Sequence, residues 1–373
     1  MLLRNAVLYG SAGMVNIRIT GGTITGIDSA LFPRTGEEIL ELNGAVVYPG
    51  FINSHDHLDF NLYPRLGRGV YANYTEWGHD IHQKFTREIA AVKIIPEYLQ
   101  LQWGAYKNLL NGFTSVVHHG KRIAADNLPV TVFQDCRSLH SVAFEKNWKW
   151  RLNNPFRRPV YVIHSGEGTD KKASGEISRL IRYNFLKKKI VAVHGVAMDE
   201  EQARSFSGLV WCPASNYFLL GKTARVEILK DKIPVVFGTD STLTASWYLR
   251  DHLQAACQQG LVTENDLVQM LTTHAAGLWK LNHTGRIAEG KAADLTIMKG
   301  DVLMRSVLLA VIRNGEIMLK SEHLLSAGKP ETGDKMSRIL LNGEPLQVKG
   351  DLEKLITDIT GFYPQAELPF ELL

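Results

Sequence analysis

Residues 160–196 read VYVIHSGEGTDKKASGEISRLIRYNFLKKKIVAVHGV, and this stretch decides the fold. The apolar run Val160 to Ile163 stops at His164 and a glycine-rich turn. From Lys172 to Phe185 the apolar residues recur at helical spacing, with Ile177, Leu180 and Ile181 on one face and charges on the other. Ile190 to Val193 is a second β-branched run, and it too stops at a histidine, His194. Strand, amphipathic helix and strand in this order make a parallel βαβ unit.

The same pattern extends outward in both directions. FTSVVHHG (113–120) and VTVFQD (130–135) precede the unit, LVWCPASN (209–216) and VVFGTDS (235–241) follow it, and Ser246 to Gln259 is another amphipathic stretch. About eight such units predict a closed (β/α)8 TIM barrel over residues 49–284. A doubly wound sheet is the competing architecture, but no GxGxxG or GxxxxGK[ST] turn follows any strand.

Both ends of the chain have a different texture. VNIRITGG (15–22) alternates apolar and polar residues and ends in a Gly21-Gly22 hairpin signal; TITGID resumes the alternation to Asp28. GEEILELNGAVVYPGF (36–51) carries two more short runs around Asn43-Gly44. TGRIAEGKAADLTIMKG (284–300) and LLAVIRNGEIMLK (308–320) have the same character. One β-sandwich domain made from residues 1–48 and 285–330 is therefore expected to flank the barrel. Residues 331–373 are expected to be a C-terminal extension, with RILLNGEPLQV and a short helix at Leu352 to Ile359, and no function is assigned to it.

Composition excludes several classes. Hydrophobic residues make up 45% and charged residues 21%, with a net charge of +4, as in an ordinary soluble protein. The basic runs Lys187-Lys188-Lys189 and Arg157-Arg158 are too short for a nucleic-acid groove. Cys136, Cys212 and Cys257 are far apart with no CxxC pair, which argues against a disulfide framework or a cysteine zinc site. No signal-like N-terminal h-region or long uncharged apolar span is present, so the expected setting is cytoplasmic, without membrane or nucleic-acid partners. Homo-oligomerisation is open, because nothing in the sequence fixes a number.

The placement of the polar residues carries the chemistry. In a parallel barrel the active site lies at the C-terminal ends of the strands. His55 and His57 follow VVYPGFINS, His164 and Glu167 follow VYVI, His194 follows IVAV, and Asp240 follows VVFGT. Histidines at i and i+2 of an extended strand share a face, so both imidazoles of His55-Asp56-His57 can reach one ion. Imidazoles of this kind suit zinc and also iron.

These motifs resemble a known family. PGFINSHDHLDF is similar to the PGxxDxHxH signature of the amidohydrolase superfamily. HGVAMDE, WCPASN and FGTDS resemble the later strand ends of its branch of cytosine deaminases, guanine deaminase and triazine chlorohydrolases, and GRIAEGKAADLTIM resembles the return to its β-sandwich. The likeness runs roughly from residue 15 to 318. It implies one divalent metal ion, zinc before iron, on His55, His57, His164 and Asp240. It further implies a proton-shuttling Glu167, and a His194 that touches the activated water or the substrate.

There are two departures from the family pattern. The aspartate usual before HxH is Asn53, and no lysine is well placed at the end of the fourth strand, where Lys146 and Glu145 are the nearest candidates. One metal is therefore expected rather than two. The implied reaction is hydrolytic deamination of an amino-substituted heterocycle, a small molecule. The alternatives are ring opening of a cyclic amide, as in imidazolonepropionase-like members, and a non-catalytic scaffold. Trp211, Asn216, Ser241 and His118 are the expected substrate-binding residues, and His119 shares the strand end with His118. Trp77, His79 and His82, in YANYTEWGHDIHQ, mark a candidate substrate loop or a packed surface helix. His140, His252, His274, His283 and His323 are given only structural roles.

Overall fold

The computed structural model describes residues 1–156, 159–327 and 335–373. The Arg157-Arg158 pair and the boundary at 330/331 lie outside these residues.

The barrel is made of parallel strands that we label β1 (Phe51–Asp56), β2 (Phe113–His118), β3 (Thr131–Phe133), β4 (Cys136–Ser141), β5 (Val160–Ser165), β6 (Ile190–His194), β7 (Gly208–Trp211) and β8 (Val235–Phe237). Pairing runs β1-β2-β3 and β4-β5-β6-β7-β8. Past the end of β8, the Asp240 N–H donates to the His55 carbonyl at 3.0 Å and joins the last strand to the first. The helices between strands are amphipathic as expected; Lys171–Tyr183 buries Ile177 and Leu180 and is N-capped by Asp170, which accepts from the Ala173 N–H.

The regular alternation breaks at one place. Only Gln134 and Asp135 separate β3 from β4, and the two do not pair with each other, so they are successive pieces of one extended run, β3 against β2 and β4 against β5. Strand β4, CRSLHS, buries only Leu139 and Ser141. Its weak apolar pattern hides it from a reading based on buried runs.

Residue parity along the strands sorts the core. Val162, Val191, Val193, Val210, Cys212 and Val236 pack together in the barrel interior. Tyr161, Ile163, Ala192, Leu209, Trp211 and Phe237 face outward against the helices. This is the period-2 alternation of a strand buried on both faces.

The strands of the two chain ends form one twelve-stranded sheet. Val46–Pro49 pairs antiparallel with Leu295–Lys299, matching Val46 to Met298 and Pro49 to Leu295. The Gly21-Gly22 turn has φ of 55° and 79°, the left-handed pair of a tight hairpin. The segment after 335 adds to the same sheet: Glu344–Lys349 pairs with Glu316–Ser321, and Met336–Leu341 pairs with Glu344–Lys349. Helix Leu352–Phe362 follows, and Phe370 stacks on Trp103 at 6.0 Å. Among the described residues no helix is long and apolar enough to cross a membrane.

Candidate metal centre

His55 and His57 stand at the end of β1, His164 at the end of β5 and Asp240 just past β8. The Nε2 atom of His164 lies 3.3 Å from Nε2 of His55 and 3.4 Å from Nε2 of His57. The nearer Asp240 carboxylate oxygen is 3.8 Å from His55 Nε2 and 3.9 Å from His57 Nε2. All four residues are buried.

The protonation states of this cluster follow from its surroundings. Burial, then the neighbouring imidazoles, push His55 and His164 well below the usual histidine range. Burial takes His57 down to about 3, against the opposing pull of Asp240. Burial alone would raise the Asp240 carboxyl, but His194, His57, the Ser215 hydroxyl and the Ser241 N–H hold it below its ordinary value. Near neutral pH the cluster is thus three neutral imidazoles facing one carboxylate. His164 Nδ1 donates to the His140 carbonyl at 2.7 Å, which leaves the Nε2 lone pair directed at the cluster. Nitrogens this close, with no proton to spare and an anion beside them, need a cation. Three imidazoles and a carboxylate are a donor set that suits a divalent metal.

Glu167 and His194 adjoin the cluster. Glu167 Oε1 lies 3.6 Å from His194 Nε2, and the second Asp240 oxygen is 4.0 Å from the same nitrogen. Burial raises the Glu167 carboxyl to about 7, with His194 opposing. His194 and Asp240 both have left-handed backbone, at φ of 72° and 58°. For non-glycine residues this strain costs on the order of 1–3 kcal/mol and persists only where neighbours enforce it. Asp240 Oδ2 accepts from Ser215 Oγ at 2.8 Å and Thr244 Oγ1 at 3.0 Å, and Oδ1 accepts from the Ser241 N–H at 2.8 Å.

The site opens into a cavity of about 590 Å³. Its floor is His57, His164, Glu167, His194, Asp240 and Ser241, and its walls are largely aromatic, including Phe60, Tyr74, Trp77 and Phe144. Helix Tyr74–Lys84 forms one wall, so the segment with Trp77, His79 and His82 is both a helix and part of the cavity lining. It is tied to the loop after β5: the Tyr74 N–H donates to the Glu167 carbonyl at 3.0 Å, and Asn73 Nδ2 to Asp170 at 2.7 Å.

The other expected substrate contacts divide. Ser241 lines the cavity. Trp211 does not: it faces outward from β7, fully buried against Phe237, and its indole N–H donates to Thr223. Asn216 lies behind His194 and accepts from its Nδ1–H at 2.8 Å, so it orients a site residue rather than meeting substrate. His118 turns away from the lining and accepts from the Leu58 N–H at 3.3 Å. Its neighbour His119 is the one packed on the cluster, 4.4 Å from the His164 ring, and neither ring nitrogen has a partner among the described residues.

Three roles were not read from the sequence, although Asn53 and His140 were named there. His140, at the end of β4, lines the cavity as well as orienting His164. Asn53 replaces the usual aspartate and holds the β1–β8 seam, accepting from the Thr239 N–H at 3.1 Å and donating to Thr239 Oγ1 at 2.7 Å. Lys107 is buried beneath the cluster and bonded to Asp56, Asn61 and the Asp240 carbonyl. Lys146 is exposed and Glu145 pairs with Arg151, so neither joins the centre. His252 is buried with Nε2 on the Ser246 carbonyl, and His274, His283 and His323 are exposed.

The fold is a parallel-stranded barrel, and a donor set of the kind that holds a metal stands at its strand ends. Residues 160–321 match the amidohydrolase family. It is 25% identical over 254 residues to a 5-methylthioadenosine/S-adenosylhomocysteine deaminase of Pyrococcus abyssi, covering 58% of this chain and 57% of that relative. The match thus spans little more than half the length of that curated relative. A 5-methylcytosine deaminase from Klebsiella pneumoniae, solved with 5-fluorocytosine, superposes with a TM-score of 0.66 at 17% identity, over 86% of this chain and 98% of that one. An atrazine chlorohydrolase from Arthrobacter aurescens, solved with zinc, gives a TM-score of 0.67 at 15% identity, over 97% and 99%. These likenesses establish the fold as a (β/α)8 barrel with a β-sandwich.

Proposed function

We propose that the chain is a hydrolase that deaminates an amino-substituted heterocycle, using one divalent ion, zinc, on His55, His57, His164 and Asp240. The observation that carries this reading is the convergence of three neutral imidazoles and a carboxylate beneath an aromatic cavity, with Glu167 and His194 beside them. The deaminases among the relatives support the choice of reaction.

An ion bound there supplies Lewis acidity, making water acidic enough to act as a nucleophile near pH 7. Every other task falls to side chains. Asp240, with Oδ2 bonded to Ser215 and Thr244 and Oδ1 to the Ser241 N–H, is held as an oriented acceptor for the attacking water. His194 gives its Nδ1–H to Asn216, which fixes the ring with Nε2 facing Glu167 and Asp240, where it holds the attacking water or the substrate. Glu167, at about 7, takes the water proton to the ring nitrogen and then carries the proton of the new hydroxyl to the departing amine. The exocyclic C–N bond breaks, a carbonyl replaces it and ammonia leaves. Trp77, Phe144 and Tyr74 provide faces on which a planar ring stacks while water is excluded. The three free cysteines fit a reducing, cytoplasmic setting.

The test has two arms. Elemental analysis of the purified protein beside Asp240→Ala reads the metal, and a panel of aminopurines, aminopyrimidines, aminotriazines and aminopteridines is assayed for ammonia. About one zinc per chain, lost in the variant, with ammonia from at least one ring class, is the expected result. Product without ammonia would replace deamination by cyclic-amide hydrolysis, and absence of metal from both proteins would remove the reading altogether.

A further inference from the structure

Beneath the cluster lies an ionic network that none of the proposed chemical steps uses. Helix Glu97–Leu110 passes under the end of β1. Its approach is close because residue 104 is glycine: a Cβ there would lie 2.2 Å from the Leu58 carbonyl oxygen. Residues 104, 107 and 108 share a helix face, so the contact at Gly104 carries Lys107 and Asn108 to the residue between the two histidines. Lys107 Nζ lies 3.3 Å from Asp56 Oδ2, 2.8 Å from Asn61 Oδ1 and 2.8 Å from the Asp240 carbonyl oxygen. Asp56 also accepts from Asn108 Nδ2 at 2.7 Å and Asn61 Nδ2 at 3.0 Å. Lys107 is 2% exposed and Asp56 fully buried.

A buried ion pair is weak evidence for stability, because desolvation offsets most of the attraction. This pair does something more specific. The three acceptors of one ammonium belong to the HxH turn, to the loop after it and to the backbone of Asp240, so a single cation ties β1 to β8. The Asp240 carbonyl it grips belongs to a residue at φ 58°, a conformation that L side chains rarely adopt without enforcement. We propose that Lys107, anchored by Asp56, is a positioning residue for the metal centre: it holds the strained Asp240 backbone and the His55–His57 turn in ligating register. This rests on reading the cluster as a metal site.

The test uses the full chain and Co²⁺ as a spectroscopic probe, with Zn²⁺ affinity measured against a competing chelator. Lys107→Met alone leaves a buried carboxylate without its cation, so the comparison pairs K107M/D56N with K107Q/D56N. In the second variant the glutamine amide can still donate to the Asp240 carbonyl. Wild type should bind Co²⁺ stoichiometrically. K107M/D56N should fold cooperatively but bind about 10–100-fold more weakly, the usual effect of removing a group that orients ligands, with a shifted Co²⁺ visible spectrum. K107Q/D56N should recover part of both. If both variants match wild type in affinity and spectrum while losing only thermal stability, Lys107 is merely structural and the proposal fails. If wild type itself takes up neither Co²⁺ nor Zn²⁺, the metal reading fails first. Should the double variants not fold, Lys107→Arg, which keeps a cation beside Asp56 but alters its reach to the Asp240 carbonyl, must shift the Co²⁺ spectrum in the same direction. An unchanged spectrum there would also overturn the proposal.

Discussion

The state of the imidazoles makes a sharp prediction about metal affinity and pH. Metal binding competes with protons for the same nitrogens, so an ordinary histidine site loses affinity as pH falls. Three imidazoles at the usual value of about 6.5 would together cost about fifty-fold between pH 7.5 and 6.0. Here burial and mutual repulsion work the other way. His55 and His164 are pushed well below 6.5 and His57 to about 3, so all three stay neutral across this window. Glu167, at about 7, is the site group raised into the window, and the Glu167→Gln background removes it. In that background Zn²⁺ affinity, measured by chelator competition on the metal-free protein, should change by less than about twofold between pH 7.5 and 6.0. Wild type should lose at most about eightfold, the limit reached if the charge of the bound ion drives off the Glu167 proton completely. A fifty-fold loss in the Glu167→Gln protein would mean that the imidazoles titrate normally and that the buried cluster is not as described.

Three further outcomes are expected. Glu167→Gln should lower kcat by about 10²–10⁴-fold with zinc content unchanged, as for a residue that moves protons without binding metal; metal loss in parallel would make it a ligand. Asn216→Leu removes the acceptor of His194 Nδ1–H, so kcat should fall about 10–100-fold at constant metal content; wild-type turnover would show that His194 needs no orientation. Gly104→Ala places a methyl 2.2 Å from the Leu58 carbonyl oxygen, and overpacking of this kind costs about 1–3 kcal/mol. Denaturant midpoints should show that loss together with weakened Zn²⁺ binding, whereas a neutral substitution would mean that the helix can move away from the HxH turn.

The barrel was legible because buried parallel strands are short β-branched runs, and seven of the eight labelled strands could be read directly. Four polar residues at their ends, His55, His57, His164 and Asp240, do converge within 4 Å of one another in linked pairs. Strand β4 was not legible. CRSLHS has neither an apolar run nor a helix before it, and its loss concealed His140 on the cavity wall. Lys107 was hidden for another reason: a lysine in a helix reads as solvated, and only Gly104 three residues earlier hints that this face meets backbone.

Trp211 and Asn216 show how a correct strand assignment can still misplace a side chain. Both were expected on the cavity because they stand at or just beyond the C-terminal end of β7. On a strand, however, position along the axis and direction of the side chain are separate questions, and the second has a period of two. Val210 and Cys212 point into the barrel, so Trp211 between them must point out, and its 0% exposure against Phe237 is the consequence. The same parity runs the other way on β5: Val162 is interior, so His164 two residues later is interior as well. Parity cannot place residues where the strand pattern has ended, and that is where the remaining chemistry sits. His194 and Asp240 reach the cluster through left-handed backbone, and Glu167 through the turn after Gly166 at φ 69°. Those three positions depend on what enforces the turn. For His194 the anchor is Asn216; for Asp240 it is the His55 carbonyl on one side and Lys107 on the other. Asn216, expected on the cavity wall, and Lys107, which reads as solvated helix, therefore both act from outside the cavity: one orients the His194 ring and the other grips the Asp240 backbone.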